Sequence, residues 1–320
     1  MALLRYIGWR LVTAVLTLTG AIMLFFGLIR FVPGDPISIM YGPRATPALR
    51  AAWEAEIGLD RPLWQQVGGF LYRAATGDFG TDIISGRSIG AMLLEALPNT
   101  LQLAAVGMVL AVVGGVTLGV LAARRPGGAV DVGLGLTSVA FITTPSFVVA
   151  IGLLLLFAIQ LRLFPVIGAG EAGDMLDRLH HLVLPSVALA IGWVGYLARL
   201  VRASLLEVMA EQHVRMLRAY GVSERRLVTR YALRLALVPM VAVLGIGVGD
   251  MISNAVFVEV IFARPGIGSL IFNAIEDRNF PIVQAGVLFA VAIYVVANLA
   301  VDLINALLDP RIARSLGPQG

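Results

Sequence analysis

The chain has 320 residues, 58% of them hydrophobic and 14% charged, with a mean hydropathy of +0.88; a soluble domain carries about 25% charged residues, so a soluble enzyme is excluded. The absence of cysteine removes disulfides, thiol catalysis and Cys-ligated zinc or iron–sulfur chemistry. All 24 basic residues are arginine and the net charge is +4; without lysine there is no P-loop for ATP and no Schiff base, and the arginines fall where membrane topology, not nucleic acid, would put them.

Arg5 and Arg10 precede an apolar stretch from about Leu11 to Val32. That is longer than a signal-peptide core of about 7–15 residues, so it reads as a retained first span, ending at Pro33-Gly34-Asp35-Pro36. The polar interval to about Glu95 holds Trp53, Trp64 and the helix-like Ala48–Ile57, and residues 33–96 read as a small extramembrane subdomain. Further apolar runs follow at Leu101–Ala122, Leu134–Ile159, Leu182–Leu200, Leu237–Val260 and Ile282–Leu308. With about 20 residues needed per crossing, the expected fold is an all-α polytopic membrane protein with six transmembrane helices. Residues 1–32 form its first helix and residues 97–320 its core.

Arginine placement orients it, because short cytoplasmic loops concentrate basic residues. Arg124 and Arg125 follow the second span. Arg199, Arg202, Arg215, Arg218, Arg225, Arg226, Arg230 and Arg234 lie between the fourth and fifth, and Arg311 and Arg314 lie in the tail. The opposite loop Leu161–His181 balances Arg162 and Arg178 with three acids. Both termini of this multi-pass membrane protein are therefore expected in the cytoplasm. Gly114, Gly115 and Gly119, with Gly245, Gly247 and Gly249, predict close helix packing, against a partner or as ordinary membrane-helix glycines.

The cytoplasmic segment of about residues 207–236 carries the most information. His213–Tyr220 reads as a helix, Gly221-Val222 as its break, and Ser223 as the N-cap of a second helix with Glu224 in its first turn. Arg226, Arg230 and Arg234 then recur at four-residue spacing on one face. A basic and apolar helix–glycine–helix suits docking into a groove on another protein or lying against anionic lipid, and the residues leave both readings open.

These residues carry a resemblance. His213-Val-Arg-Met-Leu-Arg-Ala-Tyr-Gly221-Val-Ser-Glu-Arg-Arg, continuing to Pro239, resembles the coupling loop of ABC importer permeases, and specifically of the peptide/nickel branch, first-permease type. Gly34-Asp35-Pro36, Gly58-Leu-Asp-Arg-Pro62, Gly77-Asp-Phe-Gly80, Leu97-Pro-Asn-Thr-Leu101, Phe262-Ala-Arg-Pro-Gly-Ile-Gly268 and Leu308-Asp-Pro-Arg311 match that branch in order. Met216, Leu217, Tyr220 and Arg264 depart from its usual residues. The resemblance implies a type I importer permease fold and a pathway shared with a second permease. It further implies two ATPase partners that hold ATP and Mg, and a periplasmic or lipid-anchored binding protein that delivers di- or oligopeptides, or alternatively nickel or another metal chelate, an opine or glutathione. This subunit would itself be non-catalytic and without cofactor or metal. Arg215, Arg218, Gly221, Ser223, Glu224, Arg225 and Arg226 are the implied ATPase-coupling residues.

Polar groups inside spans are costly and mark functional candidates. Asp250 and Asn254 share one face of the fifth span, with Glu259 near its outer end; they are expected to line the pathway, with a structural ion or backbone pair as the other reading of Asp250. Asp302 in the sixth span reads as structural, and Asn99 and Gln102 as helix caps. His180 and His181, near Asp174 and Asp177, could hold a metal, though adjacent residues point apart on a helix. A rival class is a self-sufficient secondary transporter relaying protons or cations through Asp250 and Asp302; it leaves the arginine-bearing loop without a purpose.

Overall fold

A computed structural model describes residues 2–29, 62–82 and 84–308. Ala48–Ile57, Gly34-Asp35-Pro36, most of Gly58–Pro62, Arg311 and Arg314 lie outside the described residues. The elements are α1 (Ala2–Ile29), α2 (Leu63–Ala75), α3 (Ile89–Ala123), α4 (Ala129–Thr143), α5 (Ser146–Leu153, continued by a π-helical stretch Leu154–Gln160) and α6 (Met175–Ala210). They continue as α7 (Gln212–Ala219), α8 (Glu224–Arg226, then π-helical Leu227–Ala232 and α-helical Leu233–Ala236), α9 (Val238–Ile261), α10 (Ile267–Glu276) and α11 (Phe280–Leu308).

Within the described residues, each of the six predicted apolar runs is mainly helical. Of the described helices, α3, α6, α9 and Phe280–Ala300 of α11 are long and apolar enough to cross a bilayer. In α1 the apolar stretch is Val12–Leu28, at the short end of the spanning range. Leu134–Ile159, expected to be one span, is bent by 103° between α4 and α5. Pro145 explains the break: it forces the preceding residue out of the helical region, and Thr144 sits at φ −86°, ψ 119°.

Two compact units divide the chain. One holds the described parts of Met1–Thr100, Pro265–Leu299 and Ala306–Gly320, the other Leu101–Arg264 and Ala300–Asn305, a grouping by contact that differs from the sequence boundaries at residues 32 and 96.

In the first unit, Ile22 and Phe26 of α1 bury against Val67 and Phe70 of α2, while Trp64 and Tyr72 on the other side of α2 are exposed. Ile89, Leu93 and Ala96 of α3, at helical spacing, pack on Ile267, Ile271 and Ala274 of α10 and on Ile282, Val283 and Ala285 of α11. The sequence-distant motifs meet here. Asn99 Nδ2 donates to the Pro265 carbonyl at 2.9 Å, and the Ile267 N–H donates to Thr100 Oγ1 at 2.9 Å, so Asn99 is a tertiary tie and not the expected cap. Asp82, buried, accepts from Asn279 Nδ2 at 2.5 Å and from the Ser85 N–H at 2.9 Å. Burial pushes its carboxyl up, and the bonds from Ser85, Asn279 and the Ile84 N–H outweigh that and hold it below the usual carboxylate value.

In the second unit α6 is the central element. Asp174 caps it, its side chain accepting from the Leu176 and Asp177 N–H groups. Glycines let neighbours approach it: a Cβ on Gly115 would lie 2.5 Å from Leu197 Cβ, and one on Gly119 2.7 Å from the Ala198 carbonyl. Gly195 of α6 itself would meet the Ser138 carbonyl of α4 at 2.6 Å. The predicted close packing of Gly115 and Gly119 is thus met within the chain.

Candidate functional site

The segment from α7 through α8 is anchored by apolar residues. Val214 of α7 and Leu227, Ala232 and Ala236 of α8 bury against Leu205 and Val208 at the end of α6. The five-residue step from Leu227 to Ala232 follows the π-helical stretch, whose extra residue per turn brings Ala232 inward and leaves Tyr231 exposed. That also breaks the regular spacing expected for the Arg226, Arg230 and Arg234 face, although all three are exposed.

Between the helices, the Gly221 N–H donates to the Arg218 carbonyl at 3.0 Å and the Val222 N–H to the Leu217 carbonyl at 3.2 Å. This is a Schellman end. Gly221 has φ +84°, and nothing lies within 4 Å of the place its Cβ would take, so glycine is required by backbone conformation and not by space. Ser223 takes the N-cap position, but its hydroxyl makes no capping bond; the first turn is served by the Glu224 carboxylate, a favourable charge there.

The expected coupling residues divide into two kinds. Arg215 donates through Nε and Nη2 to the Ala210 carbonyl at 3.1 and 2.9 Å, closing the end of α6. Arg218 binds Glu224 at 2.5 and 3.3 Å across the glycine turn; this bond raises the guanidinium's pKa and lowers the carboxylate's. Arg225 and Arg226 are exposed and form no ion pair among the described residues. Met216 and Tyr220, 53% and 79% exposed, complete the outward surface. Arg215, Arg218 and Glu224 therefore shape the turn, and Arg225, Arg226, Met216 and Tyr220 face away from it.

The second candidate is a cavity of about 460 Å3 whose wall includes Thr144, Pro145 and Ser146 at the bend, Trp193 and Tyr196 of α6, and Asp250 and Asn254 of α9. Trp193 Nε1 donates to Asp250 Oδ2 at 2.8 Å. Asn254 Nδ2 donates to the Asp250 carbonyl at 2.9 Å, and the Ser146 hydroxyl lies 3.4 Å from Asn254 Oδ1. Asp250 and Asn254 thus share one wall, and the partner of the Asp250 carboxylate is an indole, not an arginine. Glu259 is placed elsewhere. It is fully buried, as is Arg264, which feels its charge and whose N–H donates to the Glu259 carbonyl at 2.8 Å. The side chain of Asp302 lies outside the described residues.

Sequence reasoning missed one pair. Asp131, at the start of α4 and 6% exposed, binds both Nε and Nη2 of Arg202 on α6 and accepts from the Gly127 N–H at 2.8 Å. Seventy-one residues separate the partners, so no local pattern announces them. The adjacent histidines serve different places: His180 Nε2 lies 2.9 Å from the Leu163 carbonyl and His181 Nδ1 3.2 Å from an Asp177 carboxylate oxygen.

Residues 115–314 match the family described as binding-protein-dependent transport system inner membrane component. The chain is 37% identical to a probable peptide ABC transporter permease of Sinorhizobium fredii, over 96% of its own length and 98% of that protein's. It is 34% identical to a di/tripeptide transport system permease of Pseudomonas aeruginosa, covering 97% and 99%, and 33% identical to an oligopeptide transport system permease of Bacillus subtilis, covering 96% and 98%. Among solved structures, a chain of the MetNI methionine ABC transporter in inward-facing conformations is similar in fold, with a TM-score of 0.55 at 19% identity over 68% of this chain and 96% of that one.

Proposed function

The chain belongs to the inner membrane components of binding-protein-dependent transport systems, and on that premise we propose that it is a permease subunit of an ATP-driven importer of short peptides. Peptides are favoured because the relatives spanning nearly its whole length are named as peptide, di/tripeptide and oligopeptide permeases. In this reading the chain pairs with a second permease to enclose the pathway, and both termini lie in the cytoplasm. Two ATPase subunits bind ATP and Mg and engage α7–α8, and a periplasmic or lipid-anchored binding protein supplies the peptide. The chain itself binds no nucleotide, metal or nucleic acid and catalyses no reaction.

The observation that carries this is the anchoring of α7–α8 on the end of α6. Rigid secondary elements transmit displacement. α6 joins the buried Leu205 and Val208 of that anchor to Trp193 in the cavity wall, about 20 Å away along its axis. A partner moving the outward Arg225, Arg226, Met216 and Tyr220 would thus move the wall of the cavity holding Asp250. That makes the cavity the part of the pathway this chain contributes, with Asp250 and Asn254 as lining residues and Glu259 as a buried support.

Purification of the chain in mild detergent with its bound proteins identified by mass tests the reading. Recovery of an ATPase and a second permease is expected, and the associated binding protein should bind short peptides. Recovery of the chain alone, transporting in liposomes without ATP, would replace the importer with a secondary transporter.

A further inference from the structure

We propose that two adjoining cavities form one bipolar site, with Asp250 receiving the ammonium group and Arg199 the carboxylate of a short zwitterionic peptide in transit. This rests on the peptide-import reading and goes beyond it by assigning the two ends of the cargo to two side chains.

A second cavity of about 710 Å3 is lined by Asp131, Arg199 and Arg202 and shares Ile142 and Tyr196 with the first. Of its two arginines, Arg202 is held by Asp131 through both ends of its guanidinium. Arg199 is exposed and makes no ion pair among the described residues. At the other end, the Asp250 carboxylate takes, among the described residues, only the Trp193 N–H, a neutral donor that does not compensate its charge. The adjoining cavities therefore present one uncompensated anion and one uncompensated cation, separated by Ile142 and Tyr196.

The rise along α6 between the two cavities is of the order of the cargo's length. Trp193, Tyr196 and Arg199 recur at three-residue steps along α6, the first two lining the cavity of Asp250 and the last two its neighbour. Six residues of helix rise about 9 Å, and a peptide of two or three residues extends at most about 7–11 Å. A planar guanidinium accepts a carboxylate on two donors. The Trp193 and Tyr196 rings, edge to face with centroids 5.4 Å apart, flank the Asp250 end and favour a cation there. Two poles that read only the termini recognise what all free peptides share and ignore their side chains, so cargo of varied sequence could pass.

The test uses the complete transporter, with its ATPases and binding protein, in liposomes, and measures uptake of labelled Ala-Ala-Ala per ATP hydrolysed. Asp250→Asn and Arg199→Gln are each expected to lower that ratio about ten- to a hundredfold, the range for losing a hydrogen bond to a charged group, while Asp250→Glu and Arg199→Lys retain most of it. Variants that assemble, hydrolyse ATP and import at the wild-type ratio would overturn the bipolar site and leave the peptide importer standing. A wild-type transporter that hydrolyses ATP yet accumulates no peptide would overturn the peptide reading, and this inference with it. An Arg199→Gln defect that disappears in liposomes of phosphatidylcholine alone, but is present with phosphatidylglycerol, would make Arg199 a lipid contact and overturn its role at the carboxylate.

Discussion

Where α6 meets α7 and α8, its side chains are apolar and buried: Leu205 and Val208 pack on Val214 and Leu227, and Arg215 and Arg218 are used to close helix ends and turns. Around Trp193 the same helix borders open volume, and among the described residues the neighbouring Asp250 carboxylate is held by a single hydrogen bond, from the Trp193 indole. One end is built to keep its shape under load. The other is built to remain accessible, because a carboxylate fully satisfied by fixed partners has no capacity left for a moving ligand. The same contrast separates the two aspartates, since among the described residues Asp131 is closed by an arginine and Asp250 is not.

Several substitutions would sharpen or break that contrast. The largest effect is expected from joint Arg225→Glu and Arg226→Glu, which reverses the outward charge without touching the anchor. Substrate-stimulated ATP hydrolysis should fall to the unstimulated rate while the chain still inserts and folds, and normal stimulation would move the docking surface elsewhere. Leu227→Ala removes the centre of the anchor and should cost about 2–5 kcal/mol, read as a lowered melting temperature together with weakened coupling. Gly195→Val drives a side chain into the Ser138 carbonyl and should cost about 1–3 kcal/mol; an unchanged melting curve would mean that α4 and α6 can separate freely.

A smaller effect concerns acid. The Asp82 carboxyl is lowered in the folded chain, so its contribution is fully present above the unfolded carboxylate pKa of about 3.9 and is lost as pH falls through the folded value. Stability near neutrality should be flat with respect to this group, and Asp82→Asn should flatten the acid limb of a stability–pH curve. The smallest change is Trp193→Phe, which keeps the ring and deletes the donor to Asp250. Loss of one hydrogen bond to a carboxylate, about 1.5 kcal/mol at the weak end of the range for a charged acceptor, predicts about a tenfold change in uptake with assembly unaltered.

The fold was legible in the sequence to the extent that one-dimensional patterns carry it. Apolar runs marked the spans, and Gly221 between two helix-forming stretches marked the turn. The bend at Pro145 was signalled by the proline and its flanking Thr143, Thr144 and Ser146, but the apolar residues on both sides let Leu134–Ile159 read as one span. The π-helical stretch of α8 has no sequence mark, because the burial of Ala232 in place of Tyr231 is decided by what packs against it. Asn99 with Pro265 and Asp131 with Arg202 are tertiary pairs, separated by 166 and 71 residues. At the site, Gly221 and the aspartate of the fifth span could be picked out by residue type. The division of the arginines into those that shape the turn and those that face outward could not, because each of them reads alike until its partner is seen.

Irregular backbone at membrane depth is tolerated only where protein or water covers it, and Thr144, Pro145 and Ser146 border the cavity. Water entering that notch would shorten the insulating path, so that a voltage across the membrane would fall over a thinner layer and steepen beside Asp250. A charge crossing the whole field changes in energy by about 2.3 kcal/mol per 100 mV, and a water-filled break in the helix would concentrate that change into the short stretch beside Asp250.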